Sequence, residues 1–485
     1  MSVDVEFDQT RIREAIAGFE ISPSVAPNDT IDIERVFFPI THRGVLDMKR
    51  QLVVGNRGMG KSFWTHALTN PNVRERVANA YSIPVLAKTN VVLGFNGSTK
   101  LSGITPTVDE IQAAHKAGDD SELIWRAVIL RAIQSLRSAE AAEAAPSLTD
   151  ALNQLKNRPR AYAEELTAVD EASAKDDSFI LVVFDALDRL SHDWASIRGL
   201  TKGLLVTVLG LQSFRSIRAK IFMRVDQFAD PELFRFPDGS KIRNDYVNLA
   251  WKPYELYGLL FFEMLRQEAA APALKELANR LDAHSALPIG GRLNATPQTQ
   301  ELLITAIAGE FMGSSSKRGR VYTWVPLHLS DAANNCSPRT FLTAWKTAAE
   351  HVPAPQKQAV DHLGLSEGVR RASNARLTEL GEDYPWINLV LAPLRRQFVP
   401  IERSHLFELW EGSQVIEKIL GQSSSNEWLA PIGVIIEHSP DALLQTMASI
   451  AVMEKRANGK INVPDIFRVE AEILRKGGVA VPRKN

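Results

Sequence analysis

At 485 residues the chain is about three times the usual size of one domain, so several folded units are expected. Hydrophobic residues make up 45% and charged residues 23%, a balance that excludes a disordered chain and is typical of a globular protein. The 56 Lys and Arg nearly cancel the 57 Asp and Glu, which excludes an overall basic field that would attract nucleic acid or an anionic membrane.

Cysteine content and the length of the apolar runs indicate the cellular compartment in which the protein is expected. The single cysteine, Cys336, excludes an intramolecular disulfide and a cysteine-built zinc site, and it favours a reducing compartment. The first residues are acidic and carry no apolar signal segment, and the longest apolar runs are far shorter than the roughly 18 residues of a membrane span. We therefore expect a cytoplasmic protein that has no membrane partner.

Apolar runs alternate with helical patterns from the start of the chain to about residue 252. The predicted strands are Arg50–Val54, Ile83–Val92, Phe179–Phe184, Ala219–Met223 and Tyr246–Trp251. The predicted helices among them are Lys61–Leu68, Glu122–Leu136 and Trp194–Phe214. This alternation predicts an α/β fold with a parallel sheet. The stretch 139–177 is rich in Ala, Glu and Asp, and we interpret it as an exposed helical insertion or a partly disordered one.

Helical patterns dominate the rest of the chain. Four of them, Glu255–Leu265, Ala273–Leu281, Gln300–Phe311 and Arg339–His351, predict a helical lid. Farther on, Asp441–Val452 reads as a helix, and an Asn-Gly turn between short alternating segments then predicts a hairpin, as in a winged helix. The predicted domains are an N-terminal cap (1–44), an α/β core (45–252), the lid (253–352) and a C-terminal helical, winged-helix-like module (353–485).

A glycine-rich segment between the first strand and the first helix of the core carries the clearest chemical signal. It reads G-N-R-G-M-G-K-S and fits the phosphate-loop pattern G-x-x-x-x-G-K-[ST]. Such a loop points backbone N–H groups at phosphate oxygens, its lysine reaches the β- and γ-phosphates, and its serine hydroxyl serves Mg²⁺. The predicted nucleotide-binding residues are Gly55, Asn56, Arg57, Gly58, Met59, Gly60, Lys61 and Ser62.

A second signal lies at the end of the third predicted strand, within F-I-L-V-V-F-D-A-L-D-R-L. Asp185 follows the apolar run directly, at the edge of a parallel sheet where ligands bind, so we assign it to Mg²⁺ together with Ser62. The next position is alanine, where many ATPases have a water-activating acid. Asp188 is therefore the candidate base, with a structural cap or salt bridge as the alternative.

The F-D-A-L-D-R segment resembles the Walker B element of the KAP and STAND groups of P-loop ATPases, relatives of the AAA+ proteins. The resemblance covers about residues 45–350. It implies that Arg224, after the strand K-I-F-M, occupies a sensor position, and that Arg339 in S-P-R-T-F-L is a lid sensor for the γ-phosphate. It also implies that the strand Ile221–Met223 lies between Leu52–Val54 and Ile180–Phe184. The chain departs from the group in lacking the membrane segments of KAP proteins and the acid after Asp185.

These features together predict an Mg²⁺-dependent ATPase that couples its nucleotide state to movement of the lid and the C-terminal module. Two alternatives stay open. One is a scaffold that binds ATP and hardly hydrolyses it, and the other is a P-loop kinase of a small molecule.

Partners other than ATP are predicted less directly. Residues 441–485 carry eight Lys and Arg against five Asp and Glu, so the C-terminal module is mildly basic, and both DNA and a partner protein stay open as its target. The basic loop Ser314–Arg320 is a second candidate phosphate contact. The resemblance implies a homo-oligomer in which a neighbour supplies an arginine, with Arg215, Arg218, Arg235 and Arg243 as candidates. It also implies bacterial defence as a process, which no residue specifies.

Overall fold

The computed structural model describes residues 6–21, 36–100, 103–136, 146–191, 193–293, 296–424, 428–476 and 479–481. These residues form two compact units: those between 24 and 249 form one, and those of 1–23 and 250–485 form the other. Helix α1 (Gln9–Ala17) therefore belongs to the same unit as the second half of the chain. The predicted cap of residues 1–44 is divided between the units, and the lid and the C-terminal module share one of them.

A five-stranded sheet organises the unit of residues 24–249. Its strands are β1 (Leu52–Val54), β2 (Thr89–Phe95), β3 (Phe179–Phe184), β4 (Ile217–Met223) and β5 (Tyr246–Asn248). The order across the sheet is β2-β3-β4-β1-β5, and every pairing is parallel. The predicted α/β class with a parallel sheet is therefore confirmed.

The position of β4 is the feature that distinguishes this sheet. Its Ile221–Met223 pairs with Leu52–Val54 of β1, while Ile217–Ile221 pairs with Ile180–Phe184 of β3. The strand that ends in the acidic residue is thus separated from the phosphate-loop strand by one strand, as the resemblance to P-loop ATPases implies. This expectation is confirmed.

Helices complete the unit and bury both faces of its central strands. They are α2 (Lys61–Thr69), α3 (Pro71–Tyr81), α4 (Pro84–Ala87), α5 (Val108–Lys116), α6 (Ser121–Gln134), α7 (Leu148–Asn157), α8 (Ala161–Lys175), α9 (Trp194–Gly210), α10 (Val225–Ala229) and α11 (Gly239–Asn244). Helix α6 is buried along most of its length, and its Trp125 donates from Nε1 to the carbonyl of Leu200 in α9 over 2.7 Å. Burial on both faces explains why β3 is apolar at every position.

Two expectations for this unit need correction. The predicted strand Ile83–Val92 starts too early, because Pro84 occupies the first position of α4, where its fixed φ and missing N–H suit a helix start. The Ala- and Glu-rich stretch is not simply a solvated face. Between 146 and 177 it forms α7 and α8, and Ala151, Leu152 and Leu166 pack into the core; residues 139–145 lie outside the described residues.

The second unit is helical. After α1 its helices are α12 (Pro253–Leu265), α13 (Ala271–Arg280), α14 (Pro297–Ala308), α15 (Val321–Leu329), α16 (Pro338–Glu350), α17 (His362–Asp383), α18 (Ile387–Leu391), α19 (Arg403–Gly412), α20 (Val415–Ser424), α21 (Ile432–Glu437), α22 (Pro440–Ser449) and α23 (Asp465–Arg468). The four helical patterns predicted for the lid correspond to α12, α13, α14 and α16. Helix α1 is tied to this unit by Lys346 of α16, which donates to the carbonyl of Phe19.

The C-terminal part has the winged-helix-like arrangement predicted for it. Short strands β7 (Glu454–Lys455) and β8 (Ile461–Asn462) form an antiparallel hairpin after α22, and Gly459 has a φ of +84° in its turn. Ile401, just before α19, forms a single antiparallel bridge with Ile461 of the hairpin. Strands β6 (Phe398–Val399) and β9 (Leu474–Arg475) form a separate parallel pair.

Lys220 gives the first unit a buried titratable group with a measurable consequence. It is 1% exposed within β4 and donates from Nζ to the carbonyls of Asp47, over 2.7 Å, and Arg50, over 2.5 Å. Burial lowers the pKa of its amine to about 7, against an ordinary value of 10.5. The folded state thus binds fewer protons than the unfolded state between pH 7 and 10.5, so unfolding free energy rises with pH across that window.

We expect the advantage of the wild type over Lys220→Met in unfolding free energy to grow by about 1–3 kcal/mol from pH 7 to pH 9. A neutral amine keeps two N–H groups and still donates to both carbonyls, whereas a methionine side chain has no donor at any pH. Urea unfolding of both proteins at the two pH values measures the difference. The exposed Lys241→Met is the control, and a wild-type advantage that does not change with pH would contradict the buried-amine interpretation.

Candidate active site

The phosphate loop joins β1 to α2 in a conformation that its glycines make accessible. Gly58 and Gly60 have φ values of +82° and +106°, which residues with a side chain rarely adopt. Gly55 lies against Leu249, and a Cβ at Gly55 would come within 2.9 Å of the Cβ of that leucine. The loop therefore follows the predicted strand–loop–helix course, and α2 begins at Lys61.

Lys61 folds back over this loop. Its Nζ donates to the carbonyl oxygens of Gly55, over 2.7 Å, and Asn56, over 3.1 Å. Burial lowers the pKa of the lysine, and the nearby Asp185 carboxylate opposes that shift most strongly. The ammonium is thus held inside the curve of the loop, where backbone N–H groups and a helix N-terminus also favour an anion.

Asp185 lies at the carboxyl end of β3 and is 8% exposed. Its Oδ2 accepts from the hydroxyl of Thr65 over 3.1 Å, and its Oδ1 accepts from the backbone N–H of Ala186 over 2.8 Å. Burial raises the pKa of this carboxyl, while the Ala186 N–H, Lys61 and Thr65 each act to lower it. The acid predicted from the strand end is therefore joined to α2, the helix that follows the phosphate loop.

Thr65 is a residue that sequence reasoning missed. It lies three positions after Ser62 in α2, on the same side of the helix, so the spacing was the available signal. Ser62 itself is exposed at the start of the helix.

Asp188 lies in the 3₁₀ turn Leu187–Arg189, which follows the left-handed Ala186 (φ +57°). Its Oδ2 pairs with Nη1 of Arg224 over 3.3 Å. The structure thus brings two of the candidate catalytic residues together, because the partner of Asp188 is Arg224.

Arg224 follows β4 and is held from a second side. Its Nε donates to Oδ1 of Asp226 over 3.1 Å, and its Nη2 donates to Oδ2 of the same residue over 3.3 Å. Asp226 is the second residue that sequence reasoning missed, because an acid two positions after an arginine resembles an ordinary solvated pair.

These side chains form one electrostatic group. Burial lowers the pKa of Lys61 overall, but the charges of Asp185, Asp188 and Asp226 each act to raise it and that of Arg224 acts to lower it. Lys61 therefore interacts with all four of the other charges. The three carboxylates exceed the two cations by one charge, and the group suits a cation that arrives with phosphates.

The donors available for Mg²⁺ are few. Among the described residues there is no cluster of three or more His, Cys, Asp or Glu side chains that could hold a metal ion. The Ser62 hydroxyl and the Asp185 carboxylate are nevertheless hard oxygen donors of the kind that Mg²⁺ accepts when phosphates and water complete its coordination. The residues present fit such an ion.

Arg339 lies in the other unit, in the first turn of α16, whose N-cap is Ser337. Its Nη1 pairs with Oε1 of Glu379 in α17 over 2.7 Å, and Oε2 of that glutamate pairs with Arg376 over 3.2 Å. The arginine begins a helix as expected, and its role as a sensor stays a prediction.

The four arginines considered for action across a subunit boundary differ in their surroundings. Arg218 donates to the carbonyls of Phe214 and Ile217, and Arg243 lies over the ring of Phe234, 5.4 Å from its centroid. The side chain of Arg235 is 78% exposed, and Arg215 is also exposed. Arg235 and Arg215 therefore remain the accessible candidates.

No family model matches the chain, and no curated protein matches it. Among solved structures, it resembles the Orc2 protein of Aeropyrum pernix in ADPNP-ADP complexes, at 12% identity and a TM-score of 0.35, covering 95% of this chain and 94% of that one. It also resembles Cdc6p from Pyrobaculum aerophilum, at 12% identity and a TM-score of 0.29, covering 96% of each chain. Because these TM-scores are low, we base neither fold nor function on them.

None of the described helices combines the length and the apolar character needed to cross a membrane.

Proposed function

We propose that the chain is an Mg²⁺-dependent ATPase of the STAND/KAP-like, AAA+-related group, in which the nucleotide state drives movement of the lid and the C-terminal module. The observation that carries this proposal is the convergence of Lys61, inside the phosphate loop, and the buried Asp185, at the end of β3, in one group of interacting charges. A sheet with β4 between β1 and β3 supports an ATPase over a small-molecule kinase.

Each residue has a role that its position supports. Loop N–H groups and Lys61 bind and orient the phosphates, and Ser62 with Asp185 would hold the ion. When bound, Mg²⁺ would neutralise charge that develops on the phosphates. Asp188 would orient the attacking water as a base, and Arg224 would stabilise the charge on the transferring phosphoryl group.

The scaffold alternative keeps one supporting observation. The Asp188 carboxylate is paired with Arg224, and Ala186 supplies no second acid beside Asp185. A carboxylate that is occupied by a guanidinium is less available to an attacking water, so this arrangement favours slow hydrolysis unless the pair opens when nucleotide binds.

Phosphate release from ATP tests the proposal directly. We expect steady turnover with Mg²⁺ and its loss when EDTA removes the metal, because the phosphates need a counter-charge that Lys61 and Arg224 do not fully supply. The measurement is phosphate release at saturating ATP, with ATP binding measured in parallel. Tight binding without turnover would favour the scaffold, and failure to bind ATP with or without Mg²⁺ would overturn both interpretations.

The charges of the C-terminal module support a protein partner better than DNA. Helix α22 contains no Lys or Arg, and two of the three hairpin cations, Arg456 and Lys460, pair with Glu454, over 2.9 Å, and Glu402, over 2.8 Å. Phosphate contacts would have to break these pairs.

The basic loop Ser314–Arg320 is similarly constrained at its end. Arg320 pairs with Glu301 over 2.6 Å and with Glu310 over 3.5 Å, which lowers its value as a phosphate contact. A cytoplasmic location, a homo-oligomeric state and a place in bacterial defence remain part of the proposal without a supporting contact.

A further inference from the structure

We propose that Asp226 is a positioning residue of the nucleotide site, which fixes the guanidinium of Arg224 so that its remaining nitrogen faces Asp188. The inference rests on the proposed ATPase function. It assigns a role to a residue that the phosphate-loop and strand-end motifs do not include.

The contacts of Arg224 carry the inference. Asp226 accepts from Nε, over 3.1 Å, and from Nη2, over 3.3 Å, in a two-point pair on one side of the guanidinium. Asp188 accepts from the remaining nitrogen, Nη1, over 3.3 Å. All three guanidinium nitrogens of Arg224, which together we call the fork, thus donate to a carboxylate. Because the fork is planar and rigid, the orientation that Asp226 imposes on it also fixes the nitrogen that contacts Asp188.

The local backbone explains why Asp226 can do this. Arg224 is the N-cap residue of α10, and Asp226 lies in the first turn of that helix. The two side chains turn toward each other across a single helix start, so the pair costs little loop ordering. Their side chains are only 17% and 15% exposed, so solvent screens the pair less than it would a surface salt bridge.

The two acids differ in their access to solvent and in what they hold. The Asp188 side chain is 38% exposed and makes one contact with the fork, whereas Asp226 is more buried and makes two. Asp226 therefore anchors Arg224, and the contact with Asp188 is the one that can open without releasing the arginine. In that arrangement a phosphate can replace Asp188 at Nη1 while the fork keeps its position.

The test is a kinetic comparison of Asp226→Asn with the wild type. We expect kcat for ATP hydrolysis to fall roughly tenfold, because a carboxamide cannot accept at both of its atoms and the fork loses its orientation. ATP affinity should stay within about twofold, since Asp226 accepts hydrogen bonds from Arg224 and is not among the groups that would bind the nucleotide. The readouts are kcat and, separately, ATP dissociation constant by calorimetry.

Asp230→Asn is the matched control. Asp230 lies four residues farther on and pairs with Arg198 over 2.7 Å, also partly buried, but Arg198 is not one of the charges that interact with Lys61. Its substitution should leave kcat unchanged. An equal fall of kcat in both variants would overturn the inference by showing a general effect of losing an ion pair in this segment.

A double mutant separates positioning from stability. In an Arg224→Ala background, Asp226→Asn should cause no further loss of kcat, because the residue through which it acts is gone. A full additional tenfold loss would contradict the inference. Should Asp226→Asn not fold, Arg224→Lys replaces it: an ammonium cannot form the two-point pair, so kcat should fall as in Arg224→Ala, and wild-type kcat would refute the fork.

Failure of this inference is distinguishable from failure of the proposed function. A wild-type protein without ATP turnover contradicts the ATPase itself. An active wild type with an unchanged Asp226→Asn variant leaves the ATPase intact and removes only the positioning role.

Discussion

Replacement of Lys61 by alanine should weaken ATP binding about 100-fold. The ammonium lies inside the phosphate loop, held by the carbonyls of Gly55 and Asn56, and the lysine of this pattern is the residue that reaches the β- and γ-phosphates. Truncating one partner of a buried charge pair costs about 2–5 kcal/mol, and about 1.4 kcal/mol corresponds to each factor of ten in affinity. Isothermal titration calorimetry with ATP measures the loss.

The control for this variant is Lys88→Ala, which removes an exposed lysine from the same unit. Lys88 pairs only loosely with Asp177, at 3.8 Å, and its side chain is 62% exposed. Its loss should leave ATP affinity unchanged, and thermal melting should show that both variants are folded. Wild-type affinity in Lys61→Ala would mean that the glycine-rich loop does not bind nucleotide.

The second large effect is expected for Asp185→Asn, which should lower ATP turnover at least about 100-fold while leaving much of the ATP affinity. The carboxylate is buried and accepts hydrogen bonds from the Thr65 hydroxyl and the Ala186 N–H. An asparagine amide has the same shape and can keep the hydrogen bond with Thr65. What it lacks is the charge that would hold Mg²⁺ beside the phosphates. Phosphate release at saturating ATP and Mg²⁺ is the measurement.

Asp177→Asn is the matched control at the other end of the same strand. Asp177 precedes β3 by two residues, its side chain is 89% exposed, and its φ of +48° is one that asparagine adopts readily. Turnover should not change in this variant. Equal turnover in Asp185→Asn and the wild type would refute the magnesium assignment and leave the ATPase proposal without its metal site.

The elements that carry this site could largely be predicted from the sequence, because each depends on local spacing. The phosphate-loop glycines at 58 and 60 satisfy a backbone requirement that is readable in the chain itself. The apolar run of Phe179–Phe184 predicted its strand from end to end, because burial on both faces excludes polar residues at every position. Asp185 followed from that strand end alone.

Local spacing gave a wrong prediction in two places, one where a second local signal competed with it and one where packing against a distant part of the chain buries a helix. Pro84 started a helix inside a run that is otherwise apolar enough for a strand. In the Ala- and Glu-rich stretch, Leu152 and Leu155 on one side of α7 pack into the core, while composition alone suggested exposure.

Local spacing is enough to specify the phosphate loop, the acid at the strand end and the alternation that makes a parallel sheet. Which side chains meet depends on the three-dimensional arrangement: Thr65 contacts Asp185, and Arg224 contacts both Asp188 and Asp226. Asp188 and Arg224 are separated by 36 residues, and they meet because β3 and β4 are adjacent and parallel, so their carboxyl ends open on the same edge. Local patterns specify the strands, but their order in the sheet depends on how the helices pack over it.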